Sequence, residues 1–365
     1  MKNTFGNSLT VTLFGESHSA ATGVVLDGLT PGLDVDTDCI KRLLTLRRPA
    51  GDISTERREA DEFTIVSGVF NGKTTGTPLT ILIPNTDTRS KDYSATRTLA
   101  RPSHADFTAS CKYHGFEDYR GGGHFSGRLT AALVAAGGII LPALNKKGIK
   151  IGTHIKKCAG ISDRAFSENP DTEIDSLFTK SFAVLDEEAG EQMKARILQA
   201  KQVGDSVGGI LETALTGLPA GVGEPWFDTF EGMLSHALFS VPAVKGVEFG
   251  AGFAIADMTG RQANDPFFSD GGTIKTRTNN SGGINGGITN GMPVIFRCAV
   301  KPTPTIGTEQ STVDIESKTD AVLLSRGRHD PCIVHRARIV VDAVTALTAA
   351  DMLVTRYGTD WLGNL

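Results

Sequence analysis

The sequence predicts an α+β fold, because strands and helices follow one another without the regular alternation of a doubly wound parallel sheet. Two long apolar segments, residues 129–144 and 340–357, predict helices that pack in the core. Motifs of the first half of the chain return in the same order in the second half. We therefore expect one domain over residues 1–365, built from two similar halves at about 1–200 and 201–365.

The first predicted elements are a strand pair and a buried helix. Strands at 66–70 and 79–84 flank a turn at Asn71-Gly72. The helix over 129–144 follows a glycine cluster, and Pro142 is expected to end it at that residue or shortly after. The later elements are a short strand at 149–151, an amphipathic helix at 187–201, a strand at 209–215, a helix at 225–239 that starts with Pro225, a strand at 294–300 and the helix at 340–357.

Two long polar segments, 85–101 and 259–281, read as loops, and loops this long are usually functional or disordered.

Three pairs of motifs indicate the internal repeat. Ser67-Gly68-x-x-Asn71-Gly72 returns as Ser281-Gly282-x-x-Asn285-Gly286, and an apolar strand follows each. Residues 23–32 resemble 209–221, and Gly127-Arg128 and His335-Arg336 each precede a long apolar helix. Chance resemblance between turn motifs is the alternative interpretation.

Composition limits the class of protein. The 365 residues carry a net charge of −4 and are 39% hydrophobic, which is ordinary for a soluble protein with a sizeable core. The five cysteines form no C-x-x-C pair, and the polar N-terminus lacks the apolar segment of a signal peptide. We expect a cytoplasmic protein with no metal site, no disulfide framework and no membrane span. The acidic net charge also argues against nucleic-acid binding.

Arginine pairs are the strongest physical indication of function. They recur along an acidic chain, and guanidinium groups match carboxylate and phosphate oxygens. Several pairs meeting in one cleft would concentrate positive potential on an anion. A solvated surface position is the alternative for any single pair. The clusters are Arg47 with Arg48, Arg57 with Arg58, Arg97 with Arg101, Arg120 with Arg128, Arg326 with Arg328, and Arg336 with Arg338.

Three histidines lie in polar, loop-like contexts that favour proton transfer near neutral pH, namely His18, His104 and His329. Serine hydrolysis is disfavoured, because Ser19 stands where the G-x-S-x-G elbow around Ser17 needs glycine. Gly121-Gly122-Gly123 comes before the apolar helix, so backbone N–H groups and the positive helix end could face an anion. This segment is neither a P-loop nor a dinucleotide fingerprint.

The sequence resembles the chorismate synthase family along nearly its whole length. The similarity is carried by seven segments in the family's order, which together are specific. They are Phe14-Gly15-Glu16-Ser17-His18, residues 101–106, residues 118–123, residues 243–248, Gly286-Gly287, residues 301–305 and Gly327-Arg328-His329-Asp330-Pro331-Cys332.

The resemblance implies a sandwich of antiparallel sheets packed around central helices, and a lyase of aromatic amino-acid biosynthesis. The implied reaction converts 5-enolpyruvylshikimate-3-phosphate to chorismate and phosphate by 1,4-elimination, with reduced FMN that is required and not consumed. NADPH is then only an indirect source of reducing equivalents. No flavin-reductase segment is recognisable, so an external flavin reductase is expected. The family also implies a homotetramer.

The resemblance also implies roles for individual residues. His18, His104 and Asp330 match catalytic positions. Arg47, Arg48, Arg128 and Arg336 match positions that face the anionic substrate. The positions that match FMN contacts are His124, Phe125, Ser126, Pro242, Ala243, Gly286, Lys301, Pro302, Thr303, Pro304, Thr305 and Arg328.

Two other classes remain as alternatives. One is a non-catalytic anion- or flavin-binding protein with the same fold, against which the intact His18, His104 and Asp330 argue. The other is a phosphatase without flavin, against which the lack of paired metal-binding carboxylates or a Cys-x5-Arg loop argues.

Overall fold

The structure is a computed structural model that describes residues 2–49, 51–55, 60–86, 97–325 and 329–363. The elements up to the first long helix are β1 (Thr4–Phe5), β2 (Thr10–Gly15), β3 (Ala21–Asp27), α1 (Thr37–Arg47), β4 (Thr64–Ser67), β5 (Val69–Phe70), β6 (Lys73–Thr74), β7 (Leu79–Pro84), α2 (Asp106–Tyr113) and α3 (Thr130–Lys146). Short 3₁₀ helices at Arg120–Phe125 and Gly127–Leu129 precede α3.

The remaining elements are β8 (Lys150–Cys158), β9 (Ile161–Ser162), α4 (Asp171–Leu177), α5 (Glu187–Gln202), β10 (Gly209–Thr216), α6 (Phe230–Leu238), β11 (Val244–Phe249), α7 (Gly260–Ala263), β12 (Phe267–Asp270), β13 (Thr273–Thr276), β14 (Ile284–Asn285), β15 (Ile288–Thr289), β16 (Val294–Val300), β17 (Gln310–Asp314), β18 (Thr319–Leu323) and α8 (Val334–Tyr357). Further 3₁₀ helices lie at Gly252–Asp257 and Thr359–Gly363.

Two five-stranded sheets enclose the central helices. Their strand orders are β1-β2-β3-β7-β4 and β11-β16-β10-β8-β9, and neighbouring strands in both are antiparallel. Helix α3 packs on β3 and β7, α8 packs on β8 and β10, and the two helices contact each other. The predicted α+β class, with antiparallel sheets around central helices, is confirmed.

The chain order of the two sheets supports the proposed internal repeat. The pairs β2–β3 and β8–β10 each lead to a helix, α1 or α6. Then β4–β7 and β11–β16 complete the sheets before the long helices α3 and α8. We propose that the second half begins at β8, because this strand corresponds to β2.

Helix α3 continues through Pro142 and ends at Lys146, so the proline does not end the helix at that residue, and the predicted end shortly after it is confirmed. Nearly every residue of α3 is buried, and its tertiary packing outweighs the single hydrogen bond that the proline removes. By length and composition alone, Gly127–Lys146 could cross a membrane, but 89% of this window is buried inside the protein. It is the core helix of the fold.

Several helix and strand boundaries differ from the predicted ones. The strand predicted at 149–151 is the nine-residue β8, and α8 begins six residues before the predicted start. Helix α6 begins at Phe230 rather than Pro225, because Thr229 provides the N-cap and its Oγ1 accepts from the Gly232 N–H at 2.8 Å.

The polar segment 259–281 is not one loop. It contains α7 and the hairpin β12–β13, and Asp265 accepts from Thr278 Oγ1 at 2.6 Å and from the Asn280 N–H at 2.8 Å. These local hydrogen bonds replace the apolar contacts that the sequence pattern lacks. Of the other polar segment, residues 87–96 lie outside the described residues.

A buried carboxylate joins the N-terminal strands to α8. Asp351 is fully buried, and its oxygens accept from the backbone N–H groups of Asn7, Ser8 and Leu9 at 2.8–3.0 Å. Three charge-assisted hydrogen bonds offset the desolvation of this carboxylate.

Replacing this anchor should destabilise the protein. Asp351→Asn removes the charge and one acceptor, so the free energy of unfolding should fall by about 1.5–3 kcal/mol, the range for hydrogen bonds to charged groups. Urea unfolding followed by circular dichroism measures the loss. The control is Asp320→Asn on the exposed face of β18, which should stay within about 0.5 kcal/mol of wild type. Equal stability of the two variants would contradict the anchoring role.

Candidate active site

Three arginines stand at the ends of three helices that pack together. Arg47 is the last residue of α1, Arg128 lies just before α3, and Arg336 is in the first turn of α8. With Arg48 they line a cavity of about 230 Å³, here called the arginine cavity. The N-terminal ends of α3 and α8 both reach this cavity, so their dipoles add positive potential to that of the guanidinium groups.

Asp61 is the carboxylate that neutralises part of this charge. Its Oδ2 lies 2.7 Å from Arg47 Nη2 and 3.8 Å from Arg48 Nε, and its Oδ1 accepts from Arg128 Nη1. Burial alone would raise the pKa of Asp61, but the charges and hydrogen bonds of Arg47 and Arg128 hold that pKa below its usual value. Asp61 is therefore ionised in the folded protein.

A second carboxylate, Asp330, lies in the wall of the arginine cavity. Its Oδ1 accepts from the Thr55 N–H at 3.0 Å and its Oδ2 from Arg336 Nη2 at 2.5 Å. These two donors fix the plane of the carboxylate.

Three guanidinium N–H donors have no hydrogen-bond partner among the described residues. They are the buried Nε atoms of Arg47, Arg48 and Arg336, all in residues that line the arginine cavity. Buried donors in native proteins almost always find a partner, and a bound anion would supply one here.

A larger cavity of about 880 Å³ adjoins the arginine cavity. The two share the wall residues Ser126, Gly127, Thr130, Pro242, Asp330 and Arg336, among others. The predicted FMN contacts that line the larger cavity are His124, Phe125, Ser126, Pro242, Ala243, Lys301, Thr303, Pro304 and Thr305. Its size lies in the range of small-molecule and cofactor sites.

His104 lines the larger cavity and is held through one ring nitrogen. Its Nδ1 lies 3.1 Å from Asp106 Oδ1 and 3.2 Å from Arg101 Nη2. Arg101 in turn donates twice to Asp106, from Nε at 2.7 Å and from Nη2 at 2.6 Å. This arrangement fixes the imidazole plane. It leaves Nε2 as the nitrogen that can exchange a proton with a group in the cavity.

His18 is buried at 9% exposure and lines neither cavity, so its predicted proton transfer would need an intermediary or a movement. Its ring packs against the glycine turn. A Cβ on Gly121 would lie 2.3 Å from His18 Cε1, and one on Gly122 would lie 3.0 Å from His104 Cε1. The turn therefore makes room for both imidazoles.

Two further side chains brace the wall of the larger cavity. His124 Nδ1 donates to the Gly15 carbonyl at 2.8 Å, which leaves Nε2 for another partner. Lys301 Nζ donates to Ser103 Oγ at 2.9 Å and to the Ser103 carbonyl, and so joins segment 301–305 to the segment that carries His104. Burial, together with the positive charge of Lys245, lowers the pKa of Lys301.

Three predicted FMN contacts are not placed on this wall. Pro302 and Gly286 do not line the larger cavity, and a Cβ on Gly286 would have no neighbour within 4 Å. Arg328 lies outside the described residues, as do Arg57, Arg58 and Arg326. Of the other clustered arginines, Arg120 pairs with Asp118, and Arg338 donates to the Lys180 carbonyl away from the cavities.

Comparison with known proteins gives one consistent result. Residues 9–354 match the sequence model of the family described as chorismate synthase. The chain belongs to the chorismate synthase family. Its relatives with this name include one from Thermococcus gammatolerans, 47% identical over 96% of this chain and 97% of the relative, and one from Chitinophaga pinensis, 45% identical over 96% of each.

A solved structure agrees. A crystal structure of chorismate synthase matches with a TM-score of 0.77 and 29% identity, and the match covers 97% of this chain and 94% of that one. The chain is thus an enzyme, a lyase of the shikimate pathway, which feeds aromatic biosynthesis.

Several residues that the site uses were not predicted from the sequence. Asp61 stands in the unremarkable stretch Ala60-Asp61-Glu62-Phe63, and Thr55 reaches Asp330 through its backbone N–H. Nothing in their local pattern indicates the arginines that they meet. Asp106 had a usable signal, because it follows His104 at a spacing that lets a carboxylate reach Nδ1.

The role of the glycine turn can be tested through stability. Gly121 has φ +58°, so Gly121→Ala carries the cost of the left-handed region, about 1–2 kcal/mol, and must also displace His18. Gly148→Ala is the matched control, with φ +76° and no neighbour within 4 Å of the added Cβ. Urea unfolding should show a clearly larger loss for Gly121→Ala. Equal losses would mean that the turn does not hold the imidazole.

Proposed function

We propose that this protein converts 5-enolpyruvylshikimate-3-phosphate to chorismate and phosphate by 1,4-elimination, with reduced FMN that is required and not consumed. The observation that carries the proposal is the shared wall between a cavity of four arginines and a larger cavity, with Asp330 in that wall. The substrate would lie in the first and the flavin in the second, in contact with each other.

The arginine cavity suits the substrate's charges. The substrate carries two carboxylates and a phosphate, and each can pair with guanidinium groups. The Nε atoms of Arg47, Arg48 and Arg336, which have no hydrogen-bond partner among the described residues, are the donors that we assign to these anions. The same cations would stabilise the phosphate as its bond to carbon breaks and its negative charge grows.

The residues of the larger cavity fit FMN. They combine apolar wall residues such as Phe125 and Pro242 with the donors His124 and Lys301. Thr303 Oγ1 is buried and has no partner among the described residues, and a polar cofactor group would satisfy it. When bound, reduced FMN supplies the electron-rich partner that the elimination needs. The chain's residues would hold it and present Asp330 beside it.

Proton transfer is assigned to the histidines. His104 has Nε2 available at the larger cavity, because Asp106 and Arg101 occupy Nδ1. We propose that His104 and His18 would act as separate acids, one toward a bound flavin and one toward the leaving phosphate, and that Asp330 would act as the base beside the flavin. The burial of His18 makes it the less direct of the two donors.

The wider setting is also a proposal. An external flavin reductase would supply reduced FMN, with NADPH as the indirect source of electrons. We further propose a homotetramer in the cytoplasm. Among the residues that the structure describes, no group of three His, Cys, Asp or Glu side chains could hold a metal ion.

The arginines can be tested by binding. Arg48→Ala and Arg336→Ala each remove a guanidinium that we pair with a substrate anion. Such hydrogen bonds are worth about 1.5–3 kcal/mol, so substrate affinity should fall roughly 10- to 150-fold. FMN affinity should change much less. Calorimetric titration of substrate and of FMN into the same preparations measures both.

The matched control for this experiment is Arg297→Ala. Arg297 pairs with Glu248 at 2.6 Å on the second sheet and lines neither cavity. It should leave substrate affinity unchanged. Unchanged affinity in both Arg48→Ala and Arg336→Ala would remove the anion-binding argument.

The histidines can be tested by turnover. His18→Ala and His104→Ala should slow phosphate release by roughly 10²- to 10⁴-fold, while FMN binding stays nearly intact. Supplying FMN already reduced prevents slow flavin reduction from masking the step.

A structural histidine gives the comparison. His154 is fully buried between Asp163 and Glu212, at 2.9 and 3.0 Å, away from both cavities. His154→Ala should lower stability and leave turnover per folded molecule unchanged. Wild-type turnover by both His18→Ala and His104→Ala would overturn the catalytic assignment and leave only a binding role.

A further inference from the structure

Asp61 lies behind the arginines rather than among the residues that meet a ligand. Its side chain is 0% exposed and it does not line the arginine cavity, whereas Arg47, Arg48 and Arg128 do. A carboxylate in the wall would compete with an anionic ligand. One behind the guanidinium groups keeps its contacts when a ligand arrives.

The contacts of Asp61 hold two arginines from different helices at once. One carboxylate oxygen accepts from Arg47, at the end of α1, and the other from Arg128, which precedes α3. Arg47 also donates from Nη1 to Thr130 Oγ1 at 3.3 Å, and Arg128 donates from Nε to Asn85 Oδ1 at 2.9 Å. These contacts fix which guanidinium edges stay available to the cavity.

The positive charges of the neighbouring guanidinium groups require a carboxylate such as Asp61. Burial lowers the pKa of Arg47, and the negative charge of Asp61 opposes this effect. Without Asp61, the neighbouring guanidinium groups would repel one another in a site with little water to screen them. They would turn toward other acceptors or solvent, and a ligand would have to reorganise them on binding.

The backbone at Asp61 supports a specific role. Asp61 has φ +51°, a left-handed conformation that costs a non-glycine residue free energy. Such conformations persist where the surrounding contacts fix the residue, and they concentrate at functional sites.

We propose that Asp61 is a positioning residue, which pre-arranges Arg47 and Arg128 to receive the anionic groups of the substrate. This inference rests on the proposed function for the identity of the substrate. Asp61 acts through the arginines, so its effect should fall on substrate binding rather than on the chemical step. Asp61 is thus a second acidic residue of the site, in addition to Asp330.

The first test separates KM from kcat. Asp61→Asn keeps the shape and removes the charge. We expect KM for the substrate to rise roughly 10- to 100-fold, the range for residues that orient binding groups, with kcat changed less than about threefold. Asp163→Asn is the matched control, because Asp163 is a buried carboxylate paired with His154 away from both cavities. It should lose stability and keep the wild-type KM.

The second test is chemical rescue. Asp61→Ala leaves a space in which formate can place a carboxylate between the arginines, so added formate should lower the raised KM. Neutral formamide of similar size should not. If Asp61→Asn does not fold, Asp61→Ala purified in formate serves instead, because removing formate should then raise KM.

The outcomes are distinguishable. A wild-type enzyme that does not turn over 5-enolpyruvylshikimate-3-phosphate with reduced FMN would refute the proposed function. An active wild type with an unchanged KM in Asp61→Asn would refute the positioning role alone. Equal rises in KM for Asp61→Asn and Asp163→Asn, or equal effects of formate and formamide, would also refute it.

Discussion

The close packing of α3 against its neighbouring helices determines where the charges of the site stand. A Cβ on Gly137 would lie 2.4 Å from the Cβ of Ala343 in α8, and one on Gly138 would lie 2.8 Å from Ile40 Cγ1 in α1. Only glycine permits both approaches, since larger residues would force the helices apart. Because the arginines stand at the ends of these helices, a shift of α3 would separate the guanidinium groups.

This packing creates an electrostatic problem that two carboxylates divide between them. The arginines lie in a protein of net charge −4, so their local positive potential depends on position rather than on composition. Asp61 balances the side of the cavity formed by α1 and α3, and Asp330 balances Arg336 on α8. Only Asp330 lies in the wall. One acid can therefore hold the cations while the other faces the ligand.

The sequence predicted what depends on local pattern. The helix α5 and the strand β16 match their predicted bounds within one residue, because amphipathic periodicity and an apolar run are local signals. Other features depend on packing or on distant partners. They are the start of α8, the continuation of α3 through Pro142 and the folded structure of segment 259–281. The motifs indicated the arginines of the site. The sequence around Asp61 does not indicate that this carboxylate contacts them.

The glycine turn belongs to a correctly recognised motif, but its predicted role in binding an anion does not account for its position in the structure. Gly121-Gly122-Gly123 suggests backbone N–H groups facing an anion, but the residues of this part of the chain that line the arginine cavity are Ser126, Gly127 and Arg128. All three glycines have positive φ, and Gly121 packs against His18 and Gly122 against His104, whereas Gly123 packs against the Asp118 carbonyl. A left-handed turn without side chains lets two imidazoles lie close to one backbone segment. The same glycines therefore determine how far apart the two proposed acids stand, a constraint that only the folded chain reveals.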